Sequence, residues 1–472
     1  MKTILEKNGK CENFDVRIEP SDWRFSAAIV GLIEYFREIY GEDDDLYYIG
    51  DEYIEYDSKA ISKENYLKFV EIKYGDKLHH KYIESRLQHE YTGENRSEFI
   101  KLINEKLSGN TVMKKVFKNI KFDGNNNEEI LALIDRNREL LTLETFRYKQ
   151  DMYRNYCNTN QLLNESQSYC RLVGYYIDAP KKGKSTGYAF NMNSFVGQDI
   201  QDFDFIPFAF IDDRESLFIN DNYDINRLTT AKKILEKKIE DDIDKLQLEN
   251  KRKGAKYSLF KAIIESSDFI DYDVEVIVKN RDKDYFETLY IRKQSIGILK
   301  EIKRKEIDYN ALCFFYKIID NYYRNIYREV MECILNNTLL DGIIDVLLKE
   351  GKNSYKVYQL ININDLIRGE NIMDVNMKKN IHACANEVRK NIPGNKLDSY
   401  RNKLTSSIIF RDYDRVSEIL LQLSGYAGVY FGFADELFMD FEKNKDIAYM
   451  FVNALSKSKI NNNKEENNNS NK

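Results

Sequence analysis

Over residues 14–19 apolar and polar side chains alternate, which predicts a short strand with one buried face. Pro20-Ser21-Asp22 then marks a helix start, because Ser21 or Asp22 can accept a hydrogen bond from an unpaired N–H of the first turn. Trp23, Ala27, Val30, Ile33 and Ile39 recur at roughly helical spacing, so this helix packs inward. Residues 46–49 and 53–56 read as a hairpin turning at Gly50-Asp51. From Ser62 to about Asn119 the pattern is mainly helical, broken at Gly75, Gly93 and Gly109. A polar loop at residues 123–127 separates it from a further helical stretch over 128–156.

Between Arg171 and Asn220 the pattern changes. Residues 172–177, 188–195, 205–211 and 216–219 read as strands separated by Gly, Asp and Lys turns. Residues 226–251 read as a long charged helix with apolar Leu228, Ile234, Ile239, Ile243 and Leu246. Residues 273–279 and 285–292 form a second hairpin candidate. Beyond Gln294 the strand signal vanishes, and residues 310–336, 340–350, 355–368, 377–391, 396–409, 413–423 and 445–456 all read as helices. The expected fold class is therefore α+β. A mixed N-terminal α+β domain with β-hairpins (1–350) is followed by a C-terminal helical bundle (351–458) and a disordered Asn/Lys/Glu-rich tail (459–472). The bundle, from about residue 355, is expected to fold on its own.

Composition changes this picture little. A chain of 472 residues with 42% hydrophobic and 32% charged residues is globular and too long for one ordinary core. No apolar leader and no run of roughly 18 apolar residues occurs, so the chain reads as cytoplasmic, without a membrane partner. Cys11, Cys157, Cys170, Cys313, Cys333 and Cys384 form no CxxC pair and read as free thiols.

Catalytic signals are weak. Gly183-Lys184-Ser185-Thr186 resembles the end of a phosphate-binding loop, but Asp178 stands where the first Gly is needed and a strand pattern follows where a helix is needed. Asp57 with Glu71-Ile72-Lys73 has the D…ExK form of a metal-dependent nuclease, yet it lies in a helical pattern, and Glu301-Ile302-Lys303 matches equally well. A solvated helix face is the ordinary alternative. His79, His80 and His89 lack nearby Cys, and neighbouring His project differently from a helix. His382 and Cys384 cannot face one point of a helix. No catalytic set and no metal or other cofactor is expected.

The net charge of −6 excludes a uniformly basic nucleic-acid binder, but the cations are clustered. One run is Lys181, Lys182 and Lys184, with Ser185, Asn191 and Asn193 nearby on an expected hairpin. Others are Lys251, Arg252, Lys253 and Lys256, and Lys300, Lys303, Arg304 and Lys305. The densest spans Lys378, Lys379, Arg389, Lys390, Lys396, Arg401 and Lys403 against only Glu387 and Asp398. Lys and Arg neutralise phosphates, and Asn and Ser bond to phosphate or base edges. Solvated loops and a solvated bundle face are the alternatives.

The order of these pieces resembles a family. Val16-Arg17-Ile18-Glu19-Pro20-Ser21-Asp22-Trp23 running into Ala27-Ala28-Ile29-Val30-Gly31-Leu32 is similar to the start of the large subunit of type I-B (I-A-like) CRISPR Cascade complexes. So are Tyr188-Ala189-Phe190-Asn191-Met192-Asn193-Ser194-Phe195, Phe205-Ile206-Pro207-Phe208-Ala209-Phe210 and Leu217-Phe218-Ile219-Asn220. The C-terminal helices from Arg411-Asp412-Tyr413-Asp414-Arg415 onward resemble the bundle that mimics the small subunit. The resemblance implies a non-catalytic antiviral-defence subunit whose partners are crRNA, target double-stranded DNA, the other Cascade subunits and a separate helicase-nuclease. It further implies PAM recognition, with the guide reading the rest of the target by base pairing. Some relatives carry paired CxxC zinc motifs; this chain has none.

Overall fold

A computed structural model describes residues 1–4, 14–42, 44–88, 96–165, 169–174, 199–211, 215–247, 255–265, 269–351, 353–369 and 373–456. The chain forms two compact units, Met1–Ala262 with Asp273–Tyr290, and Ile263–Tyr272 with Ile291–Lys472. The architecture is α+β, with small antiparallel sheets and a helical C-terminal region.

The first unit opens with β1 (Lys2–Ile4) and β2 (Val16–Ile18), then α1 (Trp23–Tyr40), β3 (Tyr47–Ile49) and β4 (Ile54–Tyr56). The strands form one antiparallel sheet in the order β1-β2-β4-β3. Of the two cap candidates, Ser21 and Asp22, it is Asp22 that starts α1, its carboxylate accepting from Arg24 N at 2.8 Å. The helices α2 (Lys63–Tyr74), α3 (His79–Leu87), α4 (Arg96–Leu107), α5 (Thr111–Phe117) and α6 (Asn127–Tyr148) follow. Ile83, Ile103, Met113, Phe117, Ile130, Ile134 and Leu141 from α3 to α6 form a satellite core of their own. The helix expected over 128–156 stops at Lys149 and resumes as α7 (Tyr153–Tyr156).

One strand expectation is overturned. Of residues 205–211 only Phe210 and Ile211 are extended, Ile211 bridging to Leu217; before them a 3₁₀ turn, Gln201–Phe205, runs into the short helix α8 (Ile206–Ala209). An unbroken apolar run has no period to separate a buried strand from a buried helix. Pro207 decides it, since its fixed φ suits a first helical turn and it supplies no ladder donor. The segment is buried among aromatic rings, with Phe208 4.6 Å from Phe69 and 5.7 Å from Phe146 between centroids. The unit continues through β5 (Glu215–Asn220), α9 (Ile225–Gln247), α10 (Ala255–Glu265), β6 (Val274–Asn280) and β7 (Phe286–Ile291). The second sheet has the order β5-β6-β7, with β5 and β6 antiparallel from Glu215↔Asn280 to Asn220↔Glu275.

The second unit contains α11 (Lys293–Arg304), then β8 (Phe315–Ile319) and β9 (Tyr322–Asn325). This hairpin corrects the expectation of no strand beyond Gln294 and of one helix over 310–336. Its Phe-, Tyr- and Ile-rich arms flank Asp320-Asn321, with Asn321 in the left-handed region at φ 65°. The helix begins later, as α12 (Ile326–Asn336), capped by Asn325 accepting from Arg328 N at 3.1 Å. The hairpin signal was hidden because its apolar side chains face solvent and do not alternate.

The bundle proper is α13 (Asp341–Glu350), α14 (Ser354–Arg368), α15 (Val375–Asn391), α16 (Gly394–Ile409), α17 (Tyr413–Ala427), α18 (Phe433–Met439) and α19 (Lys445–Ala454). The last helix is its axis. All of α19 from Lys445 to Asn453 is buried, and it packs on α13, α14, α15, α16 and α18. Its polar groups are matched: Asp446 accepts from Asn364 Nδ2 (2.7 Å) and Arg368 Nε (2.9 Å), and Tyr449 donates to Asp345 (2.7 Å).

The turn at Gly351 is therefore internal to a unit rather than a boundary between domains. It has φ 65°, and Arg401 lies over it, Nη1 donating to Leu348 O at 3.3 Å. Ile343, Ile344, Leu347 and Leu348 of α13 are buried. A fragment starting at residue 355 loses this helix and strands Tyr449 and Lys445 without Asp345 and Asp341. The expected result is poor helicity by circular dichroism for 355–456 and a cooperative melt for 340–456. Equal melts for the two would show that α13 adds nothing.

Candidate nucleic-acid interface

The densest basic segment falls on α15, α16 and the turn between them. Pro393 precedes the first residue of α16, Gly394, and with Ile392 forms the short turn between the two helices. Asn391 Nδ2 donates to Ala427 O at 3.1 Å and ties the end of α15 to α17. Between α15, the start of α16 and the Val429-Tyr430 loop lies an open groove of about 810 Å³. Cys384, Ile392 and Leu397 supply its apolar lining. Asn380, Asn386, Arg389, Lys390 and Tyr430 supply polar and aromatic groups. The N-terminal, positive end of the α16 dipole also borders it.

Glu387 is the only carboxylate among the lining residues, and Lys390 Nζ donates to it at 2.6 Å. Both partners are largely solvated, so this pair holds little energy and can give way to a phosphate. Tyr430 is 72% exposed; its hydroxyl bonds to Asp435, which raises the phenol pKa. Farther along α16, the Tyr400 and Tyr426 rings lie 6.1 Å apart, with Lys403 Nζ 5.8 Å from the Tyr400 ring. Cations, amides and the exposed Tyr430 ring in one groove can neutralise phosphates and stack a base.

The structure divides the sequence-selected residues. Lys379, Arg389, Lys390 and Lys403 keep their charges toward solvent or the groove. Lys378 turns inward, bonded to Asn362 Oδ1 at 2.8 Å and 3.9 Å from Asp365, and burial lowers its pKa. Arg401 is engaged by Leu348 O, Ser456 Oγ and Asn402 Oδ1. Lys181, Lys182, Lys184, Ser185, Asn191, Asn193, Lys251, Arg252 and Lys253 lie outside the described residues. Lys256 pairs with Glu215 at 3.0 Å, and Lys303 Nζ donates to Glu265 O at 2.8 Å. Sequence reasoning missed Asn380, Asn386 and Tyr430. The i, i+4 spacing of Asn386 and Lys390 was a readable signal, whereas Tyr430 arrives from another loop and left none.

The D…ExK residues do not converge. Asp57 accepts from Lys59 N at 2.9 Å, and Lys73 pairs with Glu34 at 2.6 Å. Glu71 accepts from Thr142 Oγ1 (2.6 Å) and Arg138 Nη1 (3.2 Å) and lies 3.2 Å from His80 Nε2. Burial would raise the Glu71 pKa, but the His80 and Thr142 hydrogen bonds and the nearby positive charge hold it down to about 2. Burial, aided by Lys149 and Lys106, lowers the neighbouring His79 to about 4. His382 lies against the Tyr358 ring, and burial raises the Cys384 thiol. Among the described residues no group of three or more His, Cys, Asp or Glu is placed to hold a metal ion, and no helix is long and apolar enough to cross a membrane.

These shifts give unit one a defined acid response. Between pH 6.5 and about 4 the unfolded chain takes up a proton at His79 that the folded chain resists, so stability falls as pH falls. Between pH 4.5 and about 2 the same sign holds for Glu71, whose folded-state carboxylate stays charged. Urea midpoints across the first window are expected to slope less in His79→Gln than in wild type. Equal slopes would refute the His79 assignment.

The comparison with known families makes the chain a CRISPR-associated protein. The family model CRISPR-associated protein Csx8 matches residues 14–455, and the chain belongs to that family. No curated protein and no solved structure matches it.

Proposed function

We propose that the chain is the non-catalytic large subunit of a type I-B-like Cascade surveillance complex. In this reading it sits at the crRNA 5′ handle, recognises PAM-side target DNA and docks the helicase-nuclease. The observation that carries it is the groove of Arg389, Lys390, Asn380, Asn386 and Tyr430 on an otherwise acidic chain of a CRISPR-associated family. The separate engagement of Asp57, Glu71 and Lys73 supports a role without bond chemistry. Guide pairing carries target sequence in such a complex, so shape, phosphate and a few base-edge contacts suffice for the protein.

The test is co-expression with neighbouring CRISPR-associated subunits and a repeat-flanked guide transcript. Recovery of a stable complex holding one small RNA is expected. A chain that purifies free of RNA and subunits, and cleaves nucleic acid with Mg²⁺ in a manner lost in Glu71→Ala, would replace this reading with the nuclease.

A further inference from the structure

Among the described residues the β8–β9 hairpin belongs to no larger sheet. An isolated two-stranded ribbon is marginal in water, and apolar side chains on its free face add nothing to its folding. Its register reveals how those side chains are sorted. Phe315 lies opposite Asn325 and Lys317 opposite Tyr323, so Phe315, Lys317 and Tyr323 share one face. Tyr316 lies opposite Arg324 on the other face. That second face is anchored: Arg324 Nε donates to Glu329 at 2.8 Å, and Tyr316 bonds to Glu350, a contact that with burial raises its pKa. The first face is open, with Phe315 67% and Tyr323 53% exposed and Lys317 beside both, opposite Tyr323 and two residues along from Phe315.

We infer that this face is a platform for single-stranded nucleic acid, two unpaired bases stacking on Phe315 and Tyr323 while Lys317 neutralises a phosphate. The inference rests on the nucleic-acid reading above only for the class of partner. Three observations select that occupant. The two rings are diagonal cross-strand neighbours, a separation of roughly 7–8 Å that suits two splayed bases. The charged group adjoining both rings on that face is a cation, Lys317. Its partner, Asp320 at 2.7 Å, is 92% exposed, so the pair is weak and exchangeable for a phosphate.

The experiment uses the full-length chain with a fluorescein-labelled oligouridylate, free or paired with oligoadenylate, read by anisotropy. Phe315→Ala and Tyr323→Ala are each expected to weaken single-strand binding by about tenfold, with little change for the paired strand. Phe315→Tyr should retain binding. Lys317→Gln should lower the slope of log K against log salt by about 0.7. The three side chains changed are solvent-facing, so far-ultraviolet circular dichroism and melting should match wild type. Arg389→Glu/Lys390→Glu is measured alongside. Binding kept by the Phe315/Tyr323 double alanine variant but lost by the groove variant would overturn the hairpin assignment and leave the groove reading standing. The reverse for the single strand would keep the hairpin, and unchanged binding of the paired strand by the groove variant would remove the groove. A wild-type chain that does not bind the single strand overturns the inference. So does a double variant whose only change is loss of self-association in sedimentation, which would make the face a protein contact.

Discussion

Arg389→Glu/Lys390→Glu is expected to weaken duplex binding at least tenfold and to flatten its salt dependence. Each phosphate contact releases condensed counterions, so losing two contacts lowers the slope of log K against log salt by about 1.8. Charge reversal adds repulsion to that loss. Both side chains line the groove, and the only carboxylate lining it already pairs with Lys390. The reversed side chains would therefore stand beside Glu387 with no cation among the lining residues to meet them. Lys378→Gln and Arg401→Gln are the matched controls. Their charges are engaged by Asn362, Leu348 O and Ser456, so they should move the melting temperature more than the affinity. A titration in which the groove pair leaves affinity and salt slope unchanged would remove this face from the interface.

Gly31→Ala should destabilise the first unit by about 3 kcal/mol, at the upper end for overpacking. A Cβ built on Gly31 would lie 2.1 Å from Phe205 O and 2.8 Å from Phe205 C, which are backbone atoms and not a side chain that can swing away. The opposing segment is held on several sides. Tyr66 OH donates to Asp204 O at 2.7 Å, and Tyr153 OH to Asp204 Oδ1 at 2.6 Å. Arg171, fully buried, pairs with the same carboxylate at 2.7 Å. Relief at Gly31 therefore requires moving a hydrogen-bonded turn inside an aromatic core. Urea unfolding read through the buried Trp23 measures it, because Trp23 is the chain's single Trp and lies in this unit's core. An unchanged Trp23 midpoint would show that α1 can shift at no cost.

Much of the local structure was legible in the chain. Ser21-Asp22 before an apolar run predicts α1 because either side-chain oxygen can accept from a free first-turn N–H group. Gly50-Asp51 between two Tyr- and Ile-bearing segments predicts the β3–β4 hairpin. The amphipathic repeats of α14 to α17 announce a bundle, since a stripe at helical spacing has to be buried against neighbours. The cation-rich stretch from Lys378 to Lys403 marks the two helices, α15 and α16, that border the groove. These features depend on neighbours within one or two turns, which is the range over which sequence alone determines structure.

Tertiary structure decided the rest. Helix or strand at residues 205–211 depended on burial from every side and on Pro207, not on period. The β8–β9 hairpin carries its apolar groups outward, so the usual alternation was missing where the strands were. Position along the chain could not separate Lys378 and Arg401 from Lys390, for their roles follow from Asn362, Leu348 and Ser456 lying across other helices. The groove exists only because a loop at Tyr430 meets helices that begin far earlier. Whether a charge faces solvent or a buried carbonyl is a property of packing between distant segments, and no periodicity within one segment encodes it.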